Sequence, residues 1–269
     1  MSANTDYYCI DSNYTEEQLL IRNATRDWVK KHVKPHIEEH FQLAETPSYL
    51  VKELSNIGAF GLIIPEIYGG VGADYISFGL MMQELERGDS SIRVISSIQT
   101  SLVMYAIYKF GSEEQRTKYL PKLATGEMLG AFGLTEPDFG SNPSSMHSYY
   151  KTNGENIVIN GSKMWIGNAE TADIAIIWIK DESGNVKGVI VETNNITNFT
   201  TTTLKDKWSF RSSKTGELVF SDSVIAKEQV LAKSTSIQNA YECLNIGRYA
   251  VAWGSIGIAM ECYETALQY

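Results

Sequence analysis

The first part of the chain has apolar residues at the spacing of amphipathic helices. We expect a first helix from Thr15 to Phe41, which Pro35 should kink because proline lacks the N–H that a helix interior needs. A second helix should begin at Thr46 and end at Gly58. Further helical segments are predicted, after a glycine-rich loop at 64–74, at 78–86, at 92–108 and from the capping box SEEQ at 112–115 onward.

The pattern changes after Gly126, where runs of β-branched and aromatic residues are separated by turn residues. The predicted strands are 155–161, 173–180, 188–194, 199–204 and 216–222. A helical period returns between 237 and 269, with more apolar surface than one neighbouring element would cover. We therefore expect further helices to pack against this last segment, and we expect the chain to be a truncated or shortened form.

This order of elements predicts an α+β, multidomain protein. Residues 1–129 should form an N-terminal all-α helical domain, and residues 130–234 a central β domain built as a barrel or sandwich. Residues 235–269 should be the first helix of a C-terminal helical domain.

Composition narrows the classes of function. The 269 residues are 43% hydrophobic and 20% charged, which is typical of a globular protein. The net charge of −9 disfavours binding to nucleic acid. No apolar run approaches the roughly 18 residues that a membrane span needs. The opening 18 residues lack the pattern of a targeting signal, which predicts a cytoplasmic protein with no membrane association.

The residues that often bind metals give no strong signal. The three cysteines, Cys9, Cys243 and Cys262, are far from any paired or zinc-binding spacing, so we expect neither a disulfide nor a zinc site. His32, His36 and His40 have a helical spacing that could ligate a metal. Because they lie on a charged helix face, we expect no metal there.

The residues that could form a functional site are concentrated in two segments. They are LGAFGLTEPDFGSNPSSM, from Leu129 to Met146, and NGSKMWIGNAE, from Asn160 to Glu170. Both resemble the β-domain signatures of the FAD-dependent acyl-CoA dehydrogenases, and GSEEQRTKYLPKLATGE at 111–127 resembles the segment that precedes them in that family. Within the family, the segments at 84–104 and 243–254 look most like glutaryl-CoA dehydrogenase. The resemblance runs from about Gly61 to Tyr269 and implies an acyl-CoA dehydrogenase-like fold.

A flavin needs an apolar wall on one face and hydrogen-bond donors along one edge. The resemblance implies that the residues contacting FAD are Phe132, Leu134, Thr135, Ser141, Trp165, Ile166 and Gly167. Thr135 and the Leu134 N–H would donate to the ring edge, and Ser141 would reach the cofactor phosphates and the acyl-CoA chain. Trp165 would lie over the ring on the side away from the substrate. From the residues alone, a sandwich turn with a core tryptophan remains the alternative.

Two positions in these segments depart from the family pattern. Gly167 stands where the family commonly has threonine, so a hydroxyl near the flavin is lost. Asn142 stands where the family usually has aspartate, so one negative charge is lost.

The resemblance also implies a set of substrate-binding residues: Arg93, Ser97, Ser141, Asn245 and Arg248. Arg93 would pair with the distal carboxylate of glutaryl-CoA, for which a planar guanidinium is suited. Its alternative is an exposed helix arginine paired with Asp89, four residues earlier. For Asn245 and Arg248 the alternative is a solvated helix face.

We therefore expect a FAD-dependent acyl-CoA dehydrogenase of the glutaryl type. Glutaryl enzymes also decarboxylate, a step that Arg93 alone does not establish. The alternatives are a dehydrogenase for another polar acyl-CoA, or a non-catalytic module that binds flavin and acyl-CoA. The reaction needs a carboxylate base. The resemblance implies that most members carry it in the C-terminal helical domain, beyond residue 269, and that a minority carry it just before Arg248, where this chain has Gly247. We name no catalytic residue and expect this chain alone to be inactive. The resemblance implies electron-transfer flavoprotein as the electron acceptor and a tetramer for the full-length form.

Overall fold

The computed structural model describes residues 6–269; residues 1–5, which begin the segment used for the targeting prediction, lie outside it. The helical part contains α1 (Glu16–Trp28), α2 (Ile37–Leu43), α3 (Ser48–Asn56), α4 (Tyr75–Gly88), α5 (Ser90–Ser97), α6 (Tyr105–Phe110) and α7 (Glu113–Ala124). Two π-helical stretches, Val29–Val33 and Ile98–Met104, extend α1 and join α5 to α6. The helical first part of the chain is thus confirmed.

Local sequence explains where these helices begin and stop. Capping boxes begin α1 at Thr15 and α7 at Ser112, where each side chain accepts the N–H of the residue three positions later. The predicted interruption at Pro35 is present, because the chain leaves the helix after Val33 and resumes at Ile37.

Helix α4 lies at the centre of the helical part, between α1 and a long final helix, α8 (Ile237–Gln268). The approach of α4 and α8 needs glycine. A Cβ on Gly79 would overlap the indole of Trp253, and a Cβ on Gly257 would overlap the backbone carbonyl of Gln83. Buried residues of this core include Leu50, Leu54, Phe60, Phe78, Met82, Leu85 and Ile92.

The β part is one curled, mixed sheet of seven strands. The strands are β1 (Gly130–Gly133), β2 (Tyr149–Asn153), β3 (Asn156–Gly167), β4 (Ile174–Lys180), β5 (Val186–Glu192), β6 (Phe199–Thr203) and β7 (Thr215–Ala226). Their order is β1-β4-β2-β3-β7-β6, with β5 also on β4; β1 and β2 run parallel to β4, and the other pairs are antiparallel. The five predicted strands are all present, and β1 and β2 were missed.

Helix α8 has an unusual distribution of burial. Its buried residues are all small: Ala240, Cys243, Ala250, Gly254 and Gly257. Large apolar side chains such as Val251, Ile256 and Leu267 are exposed. The expectation of further helices against this face stays a prediction. Within residues 6–269, no helix is both long enough and apolar enough to cross a membrane.

The helical and β parts are joined by a shared core and by a polar contact between α7 and β5. Val103, Met104 and Leu120 pack in one buried cluster with Ile176 and Trp178 of β4. At its edge, Glu192 Oε1 accepts hydrogen bonds from Lys118 Nζ at 2.8 Å and from the buried Tyr119 hydroxyl at 2.7 Å. Lys118 and Tyr119 together lower the pKa of Glu192 to about 2.

This contact predicts a specific loss of stability in acid. The ordinary pKa of Glu192 is 4.5, so its contribution is fully present above that value and is lost as the pH falls through about 2. We expect Glu192→Gln to lower the free energy of unfolding by about 1 kcal/mol at pH 7, with the difference disappearing at the acid end. Thermal unfolding of wild type and Glu192→Gln between pH 7 and about pH 2 measures this difference in stability.

The matched control is Glu127→Gln, which removes an exposed carboxylate 3.6 Å from Lys122. Such a pair contributes little, so the melting temperature should barely change. A pH-independent difference between wild type and Glu192→Gln would contradict the assignment.

Candidate functional site

An open cleft of about 620 Å³ lies between the helical part and the sheet. Val94 and Ile98 line it from the helical side, and Trp165, Gly167 and Thr215 line it from strands β3 and β7. The remaining wall is the loop at 204–213. The cleft thus brings the NGSKMWIGNAE segment next to the helix that carries Arg93.

Trp165 forms the most distinctive surface of the cleft. It lies in a β-bulge, where the pairing of β3 with β7 shifts between Lys163 and Ile166. Its φ is +63°, a left-handed conformation that costs free energy for a bulky residue. The indole is 62% exposed. Strain of this kind persists where the surroundings impose it and is frequent at ligand sites.

The alternative of a core tryptophan is therefore wrong. A core residue in a sandwich turn would be buried, whereas this indole lies open on the cleft wall. A flat apolar surface presented to an open, mainly apolar cleft fits a planar heteroaromatic group such as a flavin.

Gly167 lies beside Trp165, and the space where its side chain would be is filled. A Cβ built on Gly167 would overlap Cδ1 of Ile98, which reaches across from the helical side. A side chain at position 167 would therefore require the Ile98 methyl group to move. The glycine at position 167 thus packs against Ile98.

Sequence analysis missed the 204–213 loop. Lys207 Nζ donates to Phe210 O at 2.8 Å and to Thr215 Oγ1 at 2.8 Å, which folds the loop on itself. Arg211 donates to the carbonyls of Phe41 at 2.9 Å and Gln42 at 3.1 Å, at the end of α2. Loop and helical part are therefore fastened together at the cleft. The aromatic residues in KDKWSFRSS were the available signal, but they follow no period.

Arg93 is buried and lies behind the 204–213 loop. Its Nε pairs with Glu86 Oε2, and its guanidinium carbon lies 6.0 Å from the centre of the Phe210 ring. Only 4% of Arg93 is exposed. The alternative of an exposed arginine paired with Asp89 is wrong, because Asp89 Oδ1 caps α5 by accepting the N–H of Ser91 at 2.7 Å.

Glu86 is a second residue that sequence analysis missed. It is buried on α4, one side-chain oxygen pairs with Arg93, and the other accepts the Ser90 hydroxyl at 2.6 Å. The helix breaks at Asp89, between α4 and α5, so no regular spacing connects Glu86 to Arg93.

Three of the other predicted substrate residues lie on two helices, α5 and α8. The buried Ser97 hydroxyl is 3.2 Å from that of Ser101. Asn245 and Arg248 are exposed on α8, and Arg248 Nη1 donates to Asn245 Oδ1 at 2.9 Å. A Cβ on Gly247 would lie 3.7 Å from Ser101 Oγ. The roles of Ser97, Asn245 and Arg248 stay predictions.

The predicted flavin-edge segment follows β1. The Phe132 side chain is buried against Trp178, with ring centres 6.1 Å apart, so only its backbone is available to a cofactor. Thr135 is half-buried, and its carbonyl accepts the N–H of Met164 at 2.8 Å. Ser141 is exposed in the following loop, and Ile166 is buried beneath the sheet surface. Their contacts with FAD stay predictions.

The three histidines at 32, 36 and 40 have other partners. His32 Nδ1 lies 2.9 Å from Glu53, while the rings of His36 and His40 pack against Tyr49. Across residues 6–269, no group of three or more potential ligands could hold a metal ion.

Comparison with known proteins places both parts of the chain. Residues 15–127 match the model of the acyl-CoA dehydrogenase N-terminal domain, and residues 131–223 match that of the acyl-CoA dehydrogenase middle domain.

Among individual proteins, an acyl-CoA dehydrogenase of Bacillus subtilis is 35% identical over 260 residues, which are 95% of this chain and 68% of that protein. A glutaryl-CoA dehydrogenase of Desulfococcus multivorans is 33% identical over 272 residues, covering 97% of this chain and 69% of the relative. The structure of a glutaryl-CoA dehydrogenase from Mycobacterium smegmatis, in complex with FADH2, superposes with a TM-score of 0.95 at 37% identity; the match covers 97% of this chain and 67% of that one. The chain thus spans about two thirds of the length of these relatives.

Proposed function

Since the chain belongs to the acyl-CoA dehydrogenase family, we propose that it acts in the FAD-dependent α,β-dehydrogenation of an acyl-CoA thioester of the glutaryl type. The observation that carries the proposal is the exposed indole of Trp165, which a left-handed backbone presents on the wall of an apolar cleft. FAD, when bound, supplies the acceptor for the hydride that leaves the β-carbon of the substrate.

The residues of this chain would hold and orient the reacting groups. Trp165 provides an apolar plane for the flavin, while Ile98 and Gly167 close the cleft beside it without a hydroxyl. Thr135 and Ser141 would donate hydrogen bonds along the flavin edge and to its phosphates. The 204–213 loop, fastened by Lys207 and Arg211, would form the remaining wall of the site.

Arg93 supports the glutaryl type of substrate. Its guanidinium pairs with Glu86 and lies over the face of the Phe210 ring. The next residue along the chain, Val94, lines the cleft. A carboxylate at the end of an acyl chain would share this cation with Glu86. Decarboxylation after dehydrogenation belongs to the same proposal.

Gly247 favours a second candidate, a module that binds flavin and acyl-CoA without turning the substrate over. A side chain at this position would enter the space beside Leu102 and Ser101, but glycine brings no carboxylate there. On this ground we propose that the 269-residue chain by itself is inactive. By family resemblance we further propose electron-transfer flavoprotein as the electron acceptor and a homotetramer as the assembly of the full-length form.

Replacing Trp165 tests the flavin site. We expect Trp165→Ala to weaken FAD binding about 10- to 100-fold, because an aromatic side chain covers a large apolar area of its partner. Trp165→Phe, which keeps a smaller plane, should retain most of the affinity. Quenching of flavin fluorescence measures the dissociation constants. Wild-type affinity in Trp165→Ala would remove this residue from the flavin site.

A further inference from the structure

A buried ion pair lies within the sheet, outside the cleft. Lys163 of β3 is 0% exposed, and its Nζ is 2.8 Å from Oε1 of Glu136, which is itself 5% exposed. Lys163 points inward, two residues before Trp165, and Glu136 follows directly after Thr135. The pair therefore connects the two segments that form the predicted flavin site.

Every charged atom of the pair has partners. Lys163 Nζ also donates to Leu134 O at 3.2 Å and lies 3.8 Å from Met146 Sδ. Glu136 accepts the backbone N–H of His147 at 2.6 Å with one oxygen and that of Ser148 at 3.0 Å with the other. The carboxylate thus fixes the far end of the loop that contains Ser141.

The ionisation of both groups fits this arrangement. Burial by itself would raise the pKa of Glu136, but the Lys163 ammonium and the N–H donors outweigh it and hold the pKa below its usual value. Burial lowers the pKa of Lys163 to about 8, against the opposing effect of Glu136, so the ammonium is still mostly protonated at pH 7.

Energetics suggest that the pair serves position more than stability. Desolvation of two buried charges cancels much of their attraction, and apolar replacements of similar volume are often neutral in stability. The pair does fix where the Leu134–Glu136 segment lies relative to strand β3. Lys163 Nζ donates a hydrogen bond to Leu134 O, and the next residue, Met164, donates its N–H to Thr135 O at 2.8 Å. Two adjacent residues of β3 thus bind two adjacent residues of the segment.

We propose that Lys163 and Glu136 are positioning residues for the flavin, which hold the Leu134–Glu136 segment in register with the bulge that presents Trp165. This rests on the proposed flavin site. It predicts that the two charges can be removed together with little loss of fold but with a loss of flavin affinity.

The test uses the double variant Lys163→Met with Glu136→Gln, in the whole chain. Hydrogen exchange of the Met164 amide, measured without FAD, reports the register of the segment. The dissociation constant of FAD reports the consequence, and the melting temperature reports the fold. We expect exchange at Met164 to rise at least tenfold and FAD affinity to fall at least tenfold, while the melting temperature changes by only a few degrees.

The matched control removes the exposed pair of Lys214 and Glu170, 2.9 Å apart, by Lys214→Met with Glu170→Gln. This control should leave the exchange of the Met164 amide and the affinity for FAD unchanged. Should the buried double variant fail to fold, Glu136→Asp keeps both charges but shortens the side chain by one methylene group, and it should give intermediate exchange and affinity.

A folded double variant with wild-type exchange and wild-type FAD affinity would overturn the proposal, and so would faster exchange with unchanged affinity. Failure of the wild-type chain to bind FAD would instead count against the flavin site itself. In that case, unchanged exchange at Met164 would still refute the positioning role, because this measurement needs no cofactor.

Discussion

The 269-residue polypeptide, loaded with FAD, should oxidise glutaryl-CoA at least a hundredfold more slowly than the Desulfococcus multivorans glutaryl-CoA dehydrogenase that it resembles. A positioned base contributes roughly 10²–10⁴-fold to proton removal. At the position on α8 where part of the family carries that base, this chain has Gly247. Turnover with an artificial electron acceptor, measured on both proteins side by side, tests this expectation.

Restoring a carboxylate provides the matched comparison. A Cβ at position 247 would meet Leu102 Cδ2 at 3.3 Å and Ser101 Oγ at 3.7 Å, a fit that small side-chain movements can accommodate. Gly247→Glu should therefore raise turnover over Gly247→Gln, which has the same shape and no basic carboxylate. Turnover of the unaltered chain near that of the intact relative would mean that a base lies elsewhere in it.

Arg93 should decide whether the site prefers an acyl chain that ends in a carboxylate. Truncating one partner of a buried charge pair costs about 2–5 kcal/mol, which corresponds to about 30- to 4,000-fold in affinity. Arg93→Ala alone would also leave Glu86 buried without its partner, and this would destabilise the fold. We therefore expect the clearest result from Arg93→Met combined with Glu86→Gln, which removes both charges.

The measurement is the dissociation constant of the FAD-loaded chain for glutaryl-CoA and for butyryl-CoA. The double variant should lose affinity for glutaryl-CoA by the factor above and keep its affinity for butyryl-CoA. Glu86→Gln alone keeps the cation and should retain the preference for glutaryl-CoA. An equal loss for the two thioesters would remove Arg93 from the substrate site.

Much of the fold was predictable because its signals are local. The boxes at Thr15 and Ser112 begin helices wherever the chain later packs them, and Pro35 interrupts a helix by its own chemistry. Strand β4 was predictable because its apolar run, 174–179, is buried on both faces. Strand β1 was not, because GAFG is short and half glycine, and its strand conformation depends on parallel pairing with β4.

The candidate site was predictable only where a motif carries it. The segment around Trp165 could be found in the sequence, but its left-handed backbone could not, since the bulge depends on pairing with β7. Glu86 reaches Arg93 across a break between two helices, and Lys163 reaches Glu136 across 27 positions. Such pairs are fixed by tertiary packing, which no spacing rule describes.

The contact between Gly167 and Ile98 makes the side chains that these two positions accept depend on each other. A threonine at position 167, as the family commonly has, would meet the isoleucine methyl group and would have to displace it. A smaller residue at position 98, acquired first, would leave only a small cavity. Because the Ile98 methyl group is the free end of a flexible side chain, rotation of Ile98 would also accommodate the threonine, so a change at either position could come first.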